Sequence, residues 1–335
     1  MITEKNNEYM RGLIEVFPEN ITKALEISAQ NPLKKSYPTF NNIVICGMGG
    51  SGIGGKLVAS WIVDEINIPI NFCQDYTLPA YVGSKTLIIA SSNSGNTEET
   101  MSTVAEAHQK GASIIAVCSG GGLEAFCKQW KYECILIPSG KPPRTQLAFS
   151  IVQIMHVFAE LDLINKDKLK EFALASELLI ACKDEIHIQA KELANFIDGK
   201  ELIIYSEAKD EAVAIRARQQ FNENSKILCS HHTIPEMNHN EMVGWYGGDN
   251  RYAVLFLETN DWHAQNRKRL VFSLESIQKK TSAVKVLKAK GETQILKSLY
   301  LIHIIDWASI YAAEKNEIDS IYIEVIDNLK TSLQR

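Results

Sequence analysis

Two stretches rich in glycine and hydroxyl residues, each directly after a short β-branched run, have the makings of a phosphate cradle. The first, Gly47-Met48-Gly49-Gly50-Ser51-Gly52-Ile53-Gly54-Gly55, follows Ile43-Val44-Ile45-Cys46. The second, Ser91-Ser92-Asn93-Ser94-Gly95-Asn96-Thr97, follows Thr86-Leu87-Ile88-Ile89-Ala90. Each precedes a helix-compatible segment, so each reads as a strand–turn–helix corner. Such corners aim a helix N-terminus and backbone N–H groups, those of Gly49 and Gly50 among them, at a shared anion. The hydroxyls of Ser51, Ser92, Ser94 and Thr97 would complete the cradle without a lysine. Two such loops on consecutive corners of one sheet are a far more specific signal than one.

Gly47, Gly49 and Gly52 also satisfy Gly-x-Gly-x-x-Gly, the spacing of a dinucleotide-binding turn. Asp75, 23 residues beyond Gly52, stands where the ribose-binding acid would be. A dinucleotide fold has no need of a second hydroxyl-rich cradle after its third strand, so the two loops together favour a phosphate monoester.

The elements that must position these loops follow from the hydrophobic pattern. Residues 9–30 read as an amphipathic helical lead-in. From residue 42, strand-like runs at 42–47, 70–74, 86–91, 113–118 and 133–138 alternate with helical patterns, the rhythm of a doubly wound parallel sheet covered on both faces. Helical patterns over 145–163 and 168–198 follow. The rhythm then repeats, with strands expected at 202–205, 226–229, 252–257 and 283–287, and helices over 291–314 and 323–334 close the chain. The first corner of the second copy, Ser206-Glu207-Ala208, has lost the glycines and is expected to support the sheet without holding phosphate. The fold class is therefore α/β: two doubly wound parallel-sheet domains in tandem, each of three layers, α/β/α. The expected division is a helical N-terminal segment at 1–35, a first domain with the phosphate loops at 36–165, and a second at 166–335 that includes the helical connector and the closing helices.

Composition narrows the function. The chain has 335 residues, 45% of them hydrophobic, with a formal net charge of −5. No basic patch points to nucleic acid. No run reaches the roughly 18 apolar residues of a membrane span, and the polar start Met1-Ile2-Thr3-Glu4-Lys5-Asn6-Asn7-Glu8 is unlike a secretory signal. The seven cysteines are odd in number and contain no Cys-x-x-Cys. Cys46, Cys73, Cys118 and Cys134 fall in apolar strand-like runs, which fits free, buried thiols in a reducing cytoplasm. Trp245, Trp262 and Trp307 are expected to pack the core or an interface. Gly247-Gly248 marks a turn, and Gly120-Gly121-Gly122 reads as a flexible loop.

These features resemble the sugar isomerase (SIS) domain in tandem, and most of all the bifunctional phosphoglucose/phosphomannose isomerases. The matching segments are Gly47 to Gly55, Ser92 to Thr97, Pro142-Pro143-Arg144, Asn222-Glu223-Asn224, and Pro235-Glu236-Met237-Asn238-His239-Asn240-Glu241, with a shorter match at Ile326-Asp327-Asn328-Leu329-Lys330. The resemblance implies interconversion of glucose 6-phosphate or mannose 6-phosphate with fructose 6-phosphate. That chemistry needs an anchored phosphate, an opened ring, a proton moved between C2 and C1, and a stabilised enediolate. A carboxylate suits the proton shuttle, and Glu223 is the candidate. His239, 16 residues on, has an imidazole suited to passing protons to and from the ring oxygen and the C1 hydroxyl, a role that suits ring opening. The resemblance implies that it comes from the neighbouring subunit of a homodimer. Arg144, stiffened by two prolines, can face the enediolate's developing charge. Lys330 matches a family lysine implied to assist at the ring oxygen.

No metal and no cofactor are expected. His231 and His232 are adjacent and on an extended segment would point in opposite directions, and the family resembled is metal-free. Two other function classes remain: a non-enzymatic sugar-phosphate sensor, in which Glu223, His239 and Arg144 would have no use, and a nicotinamide-dependent oxidoreductase.

Overall fold

The computed structural model describes residues 2–333. The chain forms two compact units. The first spans Val16–Ile180 with Thr293–Leu296; the second comprises Ala181–Glu292, the chain from Lys297 onward and helix α1 (Ile2–Glu15). The lead-in expected over 9–30 is thus two helices rather than one. Pro18, in the first turn of α2 (Phe17–Gln30), has no N–H to donate and its ring crowds the carbonyl four residues back, which parts the two helices at Val16.

In the first unit α2 is followed by β1 (Asn42–Cys46), α3 (Gly49–Trp61), β2 (Ile70–Cys73), β3 (Thr86–Ser92), α4 (Glu98–Gln109), β4 (Ser113–Cys118), α5 (Gly121–Trp130), β5 (Glu133–Leu136), α6 (Leu147–Glu160) and α7 (Lys170–Ala181). The five strands are parallel in the order β2-β1-β3-β4-β5. Every residue of β3 is buried, as a central strand with helices on both faces requires. Helix α6 is apolar on all sides and buried in all but its last residue.

The second unit holds α8 (Lys183–Phe196), β6 (Glu201–Glu207), α9 (Glu211–Ser225), β7 (Cys229–Ile234), α10 (Glu241–Gly244), β8 (Tyr252–Glu258), α11 (Ala264–Ile277), β9 (Val284–Lys288), α12 (Gln294–Lys315) and α13 (Glu324–Leu333). Its four parallel strands run β7-β6-β8-β9, which among the described residues is the first unit's order without a fifth strand. Both units are three-layer α/β/α sandwiches. Trp245 and Trp262 pack in the cluster of Tyr205, Val254 and Phe256, and Trp307 is likewise buried.

Two further expectations change. The strand expected at 226–229 begins at Cys229 and runs to Ile234, because Lys226 ends α9 in the left-handed conformation (φ 55°) and the Ile227 N–H still closes on the Phe221 carbonyl. And α12, contrary to the expectation that no run is apolar enough, has the length and composition of a membrane span, but 89% of that stretch is buried within the protein. It is a core helix.

In both sheets the chain reverses direction beside its first strand: β1 is flanked by β2 and β3, and β6 by β7 and β8. The loops leaving β1 and β3, or β6 and β8, therefore diverge at the carboxyl edge and open a crevice there. This is where ligands bind in open α/β sheets.

Candidate active site

The crevice of the first unit is built from the two loops singled out in the sequence. Ser51, in the first turn of α3, accepts a hydrogen bond from the Asn93 N–H through its hydroxyl (2.9 Å), tying one loop to the other. The buried Ser92 hydroxyl pairs with that of Thr97 (2.8 Å) and accepts from the Gly95 N–H (3.1 Å). Ser94 is exposed, and its hydroxyl accepts from the Asn96 N–H (3.2 Å). Ser51 and Ser92 thus shape the loops, whereas Ser94 and the exposed Gly49 face solvent at the mouth.

Gly120-Gly121-Gly122 is no flexible loop. It opens α5 and braces the second cradle loop: the Gly122 N–H donates to Asn96 Oδ1 (2.8 Å), and the Leu123 N–H to the Gly95 carbonyl (2.9 Å). Gly95 has φ +68°, and a Cβ there would lie 1.8 Å from the Gly120 carbonyl oxygen. Only glycine allows this approach. The signal was present, since the glycines follow a strand on the same sheet edge, but pairing with Asn96 depends on how β3 and β4 align.

The remaining glycines of the first loop divide by role. A Cβ on Gly54 would meet Ser150 Oγ at 2.5 Å, and one on Gly55 would meet Ile45 Cγ2 at 2.6 Å. These two let α3 pack closely on α6 and β1. A Cβ on Gly50 would fall 3.2–3.3 Å from the Pro143 carbonyl and the Arg144 nitrogen, so the segment carrying Arg144 lies directly against the first loop. Arg144 is buried there, in a single 3₁₀ turn (Pro143–Thr145) ahead of α6. Gly49, Gly50, Ser51, Ser92, Ser94, Thr97 and Arg144 are thereby gathered in one place. Asp75 is turned to its own loop, accepting from the Tyr76 N–H (2.7 Å).

The equivalent crevice of the second unit holds a carboxylate of its own. Buried Glu207 accepts from the His263 N–H, where α11 begins (2.9 Å), and from Asn266 Nδ2 (2.7 Å), with Lys209 Nζ at 3.7 Å. Thr259 donates to Asp210 (2.8 Å), and Lys209 and Lys297 flank Asp261 at 3.1 and 3.4 Å. A protein carboxylate takes the place that an anion would have at the N-terminus of a helix.

Glu223, His239 and Lys330 lie on three separate elements of the second unit. Glu223 is half-buried near the end of α9, and that helix is fixed against α12. Arg216 Nη2 pairs with Asp306 Oδ2 at 2.9 Å, both side chains buried. Burial pushes the Asp306 carboxyl up, and the guanidinium opposes that shift. Immediately after Glu223, Asn224 Nδ2 donates to Ser309 Oγ (2.9 Å) and Ser225 Oγ to the Ser309 carbonyl (2.6 Å).

His239 ends a 3₁₀ turn, Glu236–His239, and is exposed. Successive residues His231 and His232 of β7 point apart as expected: His231 is 3.9 Å from Glu211, His232 2.7 Å from Glu241. Lys330 is on α13, with its Nζ 3.6 Å from Asp327 Oδ1 and both side chains in solvent. Among the described residues, no group of three or more His, Cys, Asp or Glu side chains is placed to hold a metal ion.

Residues 186–333 match the family model for the bacterial phospho-glucose isomerase C-terminal SIS domain. Over 326 residues the chain is 35% identical to the bifunctional phosphoglucose/phosphomannose isomerase of Caldicellulosiruptor bescii, covering 94% of this chain and 96% of that protein. The chain belongs to the bifunctional phosphoglucose/phosphomannose isomerase family. The family member of Aquifex aeolicus is 31% identical over 306 residues, covering 90% of this chain and 93% of its own. Among solved structures, the C-terminal domain of glucosamine-fructose-6-phosphate aminotransferase from Francisella tularensis superposes with a TM-score of 0.71 at 14% identity, over 91% of this chain and 95% of that one. At that identity the likeness concerns the tandem SIS fold alone.

Proposed function

We propose that this chain interconverts glucose 6-phosphate and mannose 6-phosphate with fructose 6-phosphate, passing a proton between C1 and C2 through a cis-enediolate without a metal ion. The observation that carries the reading is the pair of hydroxyl-rich loops, joined by Ser51 and Asn93 at the first sheet's switch point, in a chain of this family. The two hydroxyl-rich loops hold the phosphate, and Arg144 stabilises the enediolate's negative charge. Glu223 shuttles the proton, while His239 and Lys330 serve the ring oxygen. The seven free thiols fit a cytoplasmic enzyme.

We further propose that the working unit is a homodimer with His239 supplied across the interface. Its support is the exposure of His239 in a segment that also bares Val243 and Tyr246, 76% and 87% exposed, surface that a partner would cover.

The reading is tested by incubating fructose 6-phosphate with the chelator-treated protein and assaying both aldose phosphates enzymatically. Both should form. Formation of neither would overturn the reading, and activity lost to the chelator and restored by zinc would overturn the metal-free mechanism. Ser94→Ala tests the cradle. A lost charge-assisted hydrogen bond of about 1.5–3 kcal/mol should raise KM roughly ten- to a hundredfold with turnover largely kept. An unchanged KM would remove Ser94 from phosphate binding.

A further inference from the structure

His239 is exposed, yet a proton-transfer group must meet its target within a fraction of an ångström. The segment bearing it is pinned on both sides. Before it, Asn238 Nδ2 donates to Ser273 Oγ on α11 (2.9 Å). After it, Glu241 opens α10, and its carboxylate is held by two strands at once. Tyr205 OH, from β6, donates to Oε1 (2.5 Å), and His232 Nδ1, from β7, lies 2.7 Å from Oε2. A carboxylate can only accept, so the imidazole carries its proton on Nδ1. The Tyr205 oxygen accepts in turn from Trp245 Nε1 (2.9 Å), which ties down the far end of the same segment. Burial and the adjoining carboxylate keep the Tyr205 phenol protonated, well above its ordinary value, so it is a constant donor.

We propose that Glu241, clamped between Tyr205 and His232, is a positioning residue that presents His239 to the sugar's ring oxygen. The proposal rests on the isomerase reading given above. The clamp acts on ring opening, the step assigned to His239. It leaves the transfer between C1 and C2 to Glu223, whose helix is held by separate contacts at Asp306 and Ser309. It also leaves phosphate binding to the two hydroxyl-rich loops. A side chain that only stabilised the fold would not divide the reaction in this way.

The test uses the full-length protein and two ketose substrates. Fructose 6-phosphate must open its ring before it reacts. Its 5-deoxy analogue lacks the hydroxyl that closes the furanose and is already open. Tyr205→Phe keeps the ring that packs on Phe256 but deletes the donor to Glu241 and the acceptor for Trp245. Misplacing a reacting group by about 1 Å costs on the order of 10²-fold, so turnover of fructose 6-phosphate should fall roughly ten- to a hundredfold with KM unchanged. Turnover of the 5-deoxy analogue, which needs no ring opening, should fall markedly less.

Equal losses on both substrates, or no loss on either, would overturn the clamp. Should Tyr205→Phe melt early, Glu241→Gln serves instead: the amide keeps the shape but offers one accepting oxygen in place of two, and the same split between substrates is expected. If the wild-type protein converts neither ketose, the isomerase reading itself fails and the clamp with it. If His239→Ala spares fructose 6-phosphate while Glu223→Gln abolishes its turnover, the isomerase activity stands, and the clamp falls together with the role given to His239.

Discussion

Glu223→Gln should yield a folded protein whose turnover is lower by about 10²–10⁴-fold, the range credited to a positioned acid–base group. The amide has the shape of the carboxylate and most of its hydrogen-bonding reach, but it cannot accept the C2 proton and return it to C1. The fold should survive because the end of α9 is fastened through Asn224 and Ser225 to Ser309, and its middle through Arg216 to Asp306. Substrate affinity should persist too, since phosphate binding is assigned to the loops after β1 and β3 and not to Glu223. The measurements are kcat in the coupled assay, the melting temperature, and sugar-phosphate binding by calorimetry. Near-normal kcat in a folded variant would strip Glu223 of the shuttle role.

Mixing that inactive variant with inactive His239→Ala should bring activity back. If each site combines Glu223 of one chain with His239 of the other, a mixed dimer has one site lacking both groups and one site intact. Random reassortment makes half of the dimers mixed, so recovery should approach roughly a quarter of wild-type activity under twofold symmetry. No recovery, with subunit exchange demonstrated by a mass-tagged chain, would mean that each chain completes its own site.

The tandem α/β architecture was legible because its signals are local. Short β-branched runs such as Ile43-Val44-Ile45-Cys46 and Thr86-Leu87-Ile88-Ile89-Ala90 read as buried strands, and the glycines and serines at their ends mark where each strand stops, although Gly49 to Gly55 already belong to α3. The candidate groups Glu223, His239, Arg144 and Lys330 stood out by resemblance to a family, since an isolated glutamate or lysine on a helix has no local mark of chemistry. Where a local rule competed with another, boundaries moved. Pro18 broke the lead-in into two helices, and Lys226 prolonged the close of α9 into the segment read as strand.

By itself, then, the sequence determined which elements form and where hydroxyls and backbone N–H groups gather at strand ends, because both depend on neighbours a few residues apart. Tertiary structure alone decided the strand order that puts the Ser51 loop beside the Asn93 loop. It turned three glycines after β4 into a brace for Asn96, and it filled the second crevice with Glu207. It also brought Tyr205 to Glu241, 36 residues away, and Arg216 to Asp306, 90 residues away. Such pairs follow from how strands align and helices stack, and no local pattern encodes which side chain lies opposite across the core.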